Sequence, residues 1–479
     1  MSADCETIIR PKGIERTIIL PGGLQRFWTL LRTRGRRTSV SYAWPWMPTA
    51  EQLLERARAF FDAEQAGAPD SLTARGLADV RHFDLAGMQR VVGVCPYGIS
   101  GSLLLASYLD GHDDVIMLPA CLGSASYAFF DHYRALSLRD KLLIYPFLDE
   151  GHFNSFFHSE HSPSPANYFA AVNAACEVYR DSPAEFLESR RVFFRLLHVV
   201  YCVALGRLPA SSRPLIVYQQ HERNEALAGY LLEDFAEVRF IHTVRDPITN
   251  CGRMFQHGSD VVELRAAGNT IMSLTTQDAP HLHMESRTLA VRFEDMHLRL
   301  QETMSAVADW LGLSYGASLL ESTFSGRPWQ VAQGTTTWSG PRPAQAVRDS
   351  RNVSFTDRCL LFAVLYEDFA AWNYPCPRVF KHALVRILTC LLLLVIPMRM
   401  EVMTARRAFK SRGVRDVGRG LLRLCIGRAQ IMMLLALDLF RRLTFGIQVL
   451  PARSSDGAPE RRMARTDPAP RPSNQPRRS

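Results

Sequence analysis

The chain has 479 residues, 47% hydrophobic and 22% charged, which is the make-up of a protein with a buried core and excludes a disordered or fibrous chain. Its ten cysteines include no CxxC pair, which argues against a zinc ribbon, a redox dithiol or a disulfide framework and fits reduced thiols. The formal charge of +9 is concentrated in the tail: from Lys381 to Ser479, Lys and Arg exceed Asp and Glu by 14, so the first 380 residues carry −5. A mildly acidic body with a basic tail that also holds apolar runs points to an anionic membrane surface and away from a nucleic-acid groove.

Residues 1–84 read as an N-terminal extension. The opening "MSADCETIIRPKG" has an early acidic residue and no apolar h-region, so no secretory signal is expected. The extension's clear element is a helix, with Thr49 and Gln52 spaced as a capping box and Leu53, Leu54, Ala57, Phe60 and Phe61 on one stripe. Over residues 85–375, β-like runs alternate with helical stretches: "RVVGVC", "RPLIVYQQ", "VRFIHTV" and "TLAVRF" each precede a helical pattern. Apolar strands joined by helices predict an α/β domain with a central parallel sheet covered on both faces, its ligand beyond the carboxyl ends of the strands.

"GHFNSFFHSEHSPSP" offers His152, His158, Glu160 and His161; a helix there would bring two histidines together, but the Ser and Pro content predicts a loop, and no metal is expected. Residues 376–450 hold two apolar, basic segments. The first has eleven apolar or weakly polar residues from Ile387 to Pro397, short of a span, and extending it backward takes in Arg386. The second, residues 421–450, is interrupted by Arg423, Arg428, Arg441 and Arg442. Both suit helices lying in a membrane interface or a re-entrant hairpin; core helices packed on the sheet domain are the alternative. Residues 451–479, rich in Pro, Arg and Ser, are expected to be disordered.

The stretch that carries chemistry is "PYGISGSLLLASYLDGHDD", where a strand runs through Gly98, Ser100, Gly101 and Ser102 into a helix. Such a turn offers unpaired N–H groups and the positive end of a helix dipole to an anion. It lacks the lysine of a Walker A loop, which argues against an ATPase or GTPase. The segment resembles the 5′-phosphosulfate loop of the sulfotransferase family, P-[KR]-S-G-[TS]-[TS]-L-L followed by an "LDxHP"-like helix end. Downstream, "VRFIHTVRDPITNCGR" is similar to that family's 3′-phosphate segment, and "LAVRFEDMHLRLQETMSAVADWLGLSY" to its "RYEDL…FLGL" element.

The resemblance implies a P-loop-like three-layer fold that binds 3′-phosphoadenosine 5′-phosphosulfate (PAPS) as co-substrate. Gly98, Ser100, Gly101 and Ser102 would hold the phosphosulfate, and Arg245 the 3′-phosphate; an ion pair with Asp246 is the alternative role for that arginine. The pattern departs at Ile99, where the family has a basic residue, at Leu103, where it has a hydroxyl, and at Arg253, where it has a serine contacting the 3′-phosphate and the guanidinium could make a stronger contact in its place. After "LIVYQQ", His221 and Glu222 are candidates for the base, and Arg223 could supply the charge missing at Ile99; a helix cap or surface pair is the other reading. Arg327, Trp329 and Trp338 lie in a stretch similar to the family's closing segment over nucleotide or acceptor, or else clamp an ordinary loop. The expected function is sulfuryl transfer to a hydroxyl or amine of a glycan or lipid-linked acceptor at the cytoplasmic face of the inner membrane. The rivals are a nucleotide-binding descendant without catalysis and a P-loop kinase of a small acceptor.

Overall fold

The computed structural model describes residues 48–393 apart from 65–69, 81–82, 97–99, 120–121, 159–160, 210, 212, 221–224, 258–286, 330, 334–335, 339 and 348–352, together with residues 396 and 402. Five strands form one sheet: β1 (Arg90–Pro96), β2 (Val115–Met117), β3 (Leu215–Gln219), β4 (Glu237–Val244) and β5 (Thr288–Arg292). Their order is β2-β3-β1-β4-β5 and every pairing is parallel. The helices used below are α1 (Ala50–Glu64), α2 (Ser71–Asp79), α3 (Ser102–Asp110), α4 (Leu138–Ile144), α5 (Pro165–Val178), α6 (Arg190–Ala204), α7 (Glu225–Asp234), α8 (Pro247–His257), α9 (Phe293–Leu298), α10 (Leu300–Leu311), α11 (Phe355–Val364), α12 (Tyr366–Ala371) and α13 (Ala383–Leu393).

Strand alternation divides the core. Val91, Cys95, Ile116, Ile216, Tyr218, Val238 and Phe240 face one apolar cluster, with α1, α4, α5, α6 and α7 packed over them. Val92, Val94, Val115, Met117, Val217, Ile241, Leu289 and Val291 face the other, closed by α3 and α10. A sheet buried on both faces needs strands that are apolar throughout, which is why these runs lack the alternation of a half-exposed strand. The result is a three-layer α/β fold.

The first layer includes the N-terminal helix. Thr49 N–H donates to Gln52 Oε1 (3.0 Å) and Gln52 N–H to Thr49 Oγ1 (3.2 Å), a reciprocal cap, and α1 buries Leu53, Ala57 and Phe61 against the body. At its centre is α6, buried continuously from Val192 to Ala204.

Two local expectations differ from the structure. The short strand β2 is absent from the sequence reading, because three apolar residues carry too little period to stand out. The His-rich stretch expected to be a loop is helical from Glu150 to His158, its last turn widened to a π-turn. Asp149 caps it by accepting from His152 N–H (2.8 Å), while Phe153, Phe156 and Phe157 lock into an aromatic cluster with Phe60, Phe61 and Tyr168. Most of the Ser and Pro residues lie beyond this helix, and residues 161–164 are not helical, as their composition predicts; packing of the phenylalanines sets the helix before them. Among the described residues, no group of three or more His, Cys, Asp or Glu is placed to hold a metal.

A third apolar cluster joins Val244, Ile248 and Cys251 to α11, α12, Phe380 and Cys390. Arg386 of α13 points inward here, only 2% exposed. Its Nε donates to the Ala363 carbonyl (2.6 Å), and both terminal nitrogens engage Glu367, one of them at 2.9 Å. A buried guanidinium stripped of its carboxylate is costly. Glu367→Ala should therefore lower stability in urea denaturation by about 3 kcal/mol, whereas Glu177→Ala, at an exposed surface pair with Arg180, should change it by less than about 1 kcal/mol.

Candidate active site

In a parallel sheet the loops at the carboxyl ends all emerge on one edge. The chain leaves β1 toward β2 on one side of the sheet and leaves β4 toward β5 on the other, so the strand order reverses between β1 and β4, the position where ligands of such sheets bind. Pro96 is in register with Thr243, which brings the turn after β1 beside the turn after β4.

The two turns are joined directly. Ser100, buried after β1, shares a 2.8 Å hydrogen bond with the Thr243 hydroxyl on β4. Gly101 is the N-cap of α3 with φ of +85°, a conformation that side chains with a Cβ rarely adopt. The neighbour enforces the same choice, since a Cβ at Gly101 would lie 2.4 Å from Cδ2 of Phe293. Ser102 opens α3, and its Oγ accepts from Gln219 Nε2 (2.9 Å) at the end of β3, so its own proton is available to an acceptor.

Phe293, the first residue of α9, is the shared surface. On it the Arg245 guanidinium stacks with Cζ 4.0 Å from the ring centroid. Arg245 is 4% exposed, and burial pulls its pKa below the usual 12.5 without threatening its charge at neutral pH. Arg245 Nη2 donates to the Gln345 carbonyl and Arg253 Nη2 to the Gln345 side chain, both at 3.3 Å, so one residue gathers two cations. The turn that carries Arg245 is fixed from below: Asp246 N–H donates to Glu294 Oε1 (3.1 Å), and Tyr374 O–H donates to Glu294 Oε2 (2.6 Å). Asp246 itself caps α8, accepting from Thr249 N–H (2.9 Å) and Oγ1 (3.1 Å).

His297 lies one turn beyond Phe293, ring centroids 4.4 Å apart. Its Nδ1 accepts from Arg342 N–H (2.8 Å), which places the ring proton on Nε2. Among the described residues, that buried Nε2 has no hydrogen-bond partner. Burial, and secondarily the Arg245 charge, hold the His297 pKa at about 4, so the ring is neutral at pH 7 and presents a donor.

Of the residues expected from sequence, Ser100, Gly101, Ser102, Arg245 and Arg253 come together at this crevice. Gly98, Ile99, His221, Glu222 and Arg223 lie outside the described residues. Sequence reasoning missed Gln219, Thr243, Phe293, His297 and Gln345. Gln219, Thr243 and Phe293 sit at the carboxyl ends of strands or just after them, the position that could have flagged them; Gln345 and His297 have no local signature.

A family profile described as the sulfotransferase family matches residues 100–317, the span that begins at this serine-glycine turn and runs through Arg245, Phe293 and His297. This matched segment belongs to the sulfotransferase family. No curated relative matches the chain. Among solved structures, the sulfotransferase domain of the Synechococcus PCC 7002 olefin synthase is 15% identical over 49% of this chain and 76% of that one, with a TM-score of 0.30. The sulfotransferase domain from the curacin biosynthetic pathway is 18% identical over 67% and 96%, TM-score 0.26. A Mycobacterium avium sulfotransferase is 11% identical over 68% and 97%, TM-score 0.33.

The family's serine-glycine turn is thus held in this chain by an aromatic wall. Gly101→Ala should lower stability by about 2 kcal/mol through its backbone conformation and the collision with Phe293. Adding Phe293→Leu should recover part of that loss in a double-mutant cycle; strictly additive effects in urea denaturation would contradict the contact.

Proposed function

We propose that the chain transfers the sulfuryl group of PAPS to a hydroxyl or amine of a glycan or lipid-linked acceptor at a membrane surface. The observation that carries this reading is the meeting of the serine-glycine turn and Arg245 on the two sides of Phe293, at the crevice between β1 and β4. A nucleotide phosphorylated at both the 5′ and 3′ positions has two anionic ends, and this crevice has one set of donors for each. Ser102 and the amino end of α3 suit the 5′-phosphosulfate. The forked guanidinium of Arg245, with Arg253 beside it, suits the dianionic 3′-phosphate. The Nε2–H of His297 adds a neutral donor on the Arg245 side.

In the reaction, an acceptor oxygen or nitrogen attacks sulfur as the bond from sulfur to the bridging phosphate oxygen breaks. The acceptor loses its proton to a base, and the 3′,5′-bisphosphate leaves with the bonding electrons. His221 and Glu222, which follow β3 in sequence, are the proposed base, with Arg223 a cation for the departing phosphate in place of the residue that Ile99 replaces. Metal ions have no assigned part.

A second reading is motivated by the departures at Ile99 and Leu103: a descendant that binds the nucleotide without turning it over. Calorimetry with 3′-phosphoadenosine 5′-phosphate and transfer of radiolabelled sulfate from PAPS to a membrane extract separate the two. Product formation supports transfer; tight binding without labelled product supports the descendant; a preference for ATP with magnesium contradicts both. Arg245→Ala should weaken the bisphosphate about 10- to 100-fold, from the loss of charge-assisted hydrogen bonds, and leave affinity for adenosine 5′-phosphate within about threefold. Equal weakening of both nucleotides would remove the 3′-phosphate role from Arg245.

A further inference from the structure

The last described helix, α13, has two unlike faces. Arg386 and Cys390 are buried against α11 and α12, and the pair of Arg386 with Glu367 fixes the helix to the body. The opposite face carries Leu384, Ile387, Leu388, Leu391 and Leu392, all 40% exposed or more, and Ile396 beyond the helix continues the apolar patch. Their spacing of three and four residues makes one continuous apolar stripe. Isolated exposed leucines are ordinary on a protein surface, but five on one helix face mark a contact surface.

Charge selects the occupant. From Arg378 to Ile396 the sequence contains no Asp or Glu, and Arg378, Lys381 and His382 are exposed at the amino end of the helix. The following 54 residues, 397–450, contain eleven Lys and Arg against three Asp and Glu. A protein partner would find no acidic residue here with which to fix its register, whereas an apolar stripe bordered by cations matches acyl chains below anionic headgroups. Eleven residues of helix extend only about 16 Å, roughly half of a bilayer's hydrocarbon thickness, and no helix among the described residues is long and apolar enough to cross a membrane.

We propose that the Leu384, Ile387, Leu388, Leu391 and Leu392 face of α13 lies in the interface of an anionic lipid bilayer, with α13 parallel to the membrane plane and Arg378 and Lys381 at the headgroups. The layer that carries this face also holds the active-site turn, through Tyr374, Glu294 and Asp246. Docking of α13 would hold the domain that carries the nucleotide site at a membrane surface. The lipid contact itself does not depend on the reading of the nucleotide site.

The test uses the full chain with sedimented vesicles of phosphatidylcholine alone or with 30% phosphatidylglycerol. The unaltered chain should bind the anionic vesicles at least tenfold more strongly than the neutral ones. The triple variant Leu384→Gln, Leu388→Gln, Leu391→Gln should lose at least tenfold in binding to anionic vesicles while its melting temperature, its monomer or oligomer mass and its affinity for 3′-phosphoadenosine 5′-phosphate stay unchanged. Arg378→Glu with Lys381→Glu should reduce the preference for anionic over neutral vesicles. Failure of the unaltered chain to bind, or undiminished binding by the triple variant, overturns the proposal. A lowered melting temperature in the triple variant would assign the face to another segment of this chain, and a change of mass to a second copy; either result also overturns it. Because nucleotide affinity is read separately, loss of lipid binding and loss of the nucleotide site are distinguishable outcomes.

Discussion

The contact on which the site depends is the pair of approaches made to Phe293. On one side the ring lies against Gly101, where nothing larger than hydrogen fits, and on the other it carries the stacked guanidinium of Arg245. The ring converts two turns that are 144 residues apart in sequence into the walls of one crevice. A hydroxyl pair between Ser100 and Thr243 ties the same two turns one layer deeper. Neither contact is strong by itself. Together they fix a glycine-opened helix start and a buried cation at neighbouring strand ends, and they do so before any ligand is bound.

Burial then gives the site its electrostatic character. Arg245 is held out of solvent with Arg253 nearby, and Glu294, whose charge favours the guanidinium, is already shared between Asp246 N–H and the Tyr374 hydroxyl. His297, kept neutral by burial and by the cation beside it, has its protonated nitrogen without an acceptor among the described residues. A desolvated arginine, a second one beside it and the His297 donor give this region a character that suits an anion.

The strands were legible because a sheet buried on both faces demands unbroken apolar runs, and "RVVGVC", "LIVYQ", "VRFIHTV" and "TLAVR" supply them. The glycine and serine turn and the RDP arginine stood out through their resemblance to the sulfotransferase motifs, and the structure brings them to neighbouring strand ends. Phe293 was not, since its importance lies in what it separates; as a residue it is one more aromatic after a strand. Gln219 was hidden in the same way, acting through the hydroxyl it holds. The stretch over residues 151–165 misled only in its first half: its Ser and Pro residues cluster after His158, where residues 161–164 are not helical, whereas the phenylalanines before them are captured by a distant helix. Arg386 carried more than its sequence context shows: there it only interrupts an apolar segment, and in the structure it anchors that segment to Glu367 and leaves the leucines outside.

The account rests on a crevice that takes both ends of one nucleotide, and its most direct test is a crystal structure of the chain with 3′-phosphoadenosine 5′-phosphate. The account predicts the 5′-phosphate at the Ser100 to Ser102 turn and the 3′-phosphate within hydrogen-bond reach of Arg245. A nucleotide bound with its 3′-phosphate away from Arg245, or seated elsewhere than between β1 and β4, would contradict it.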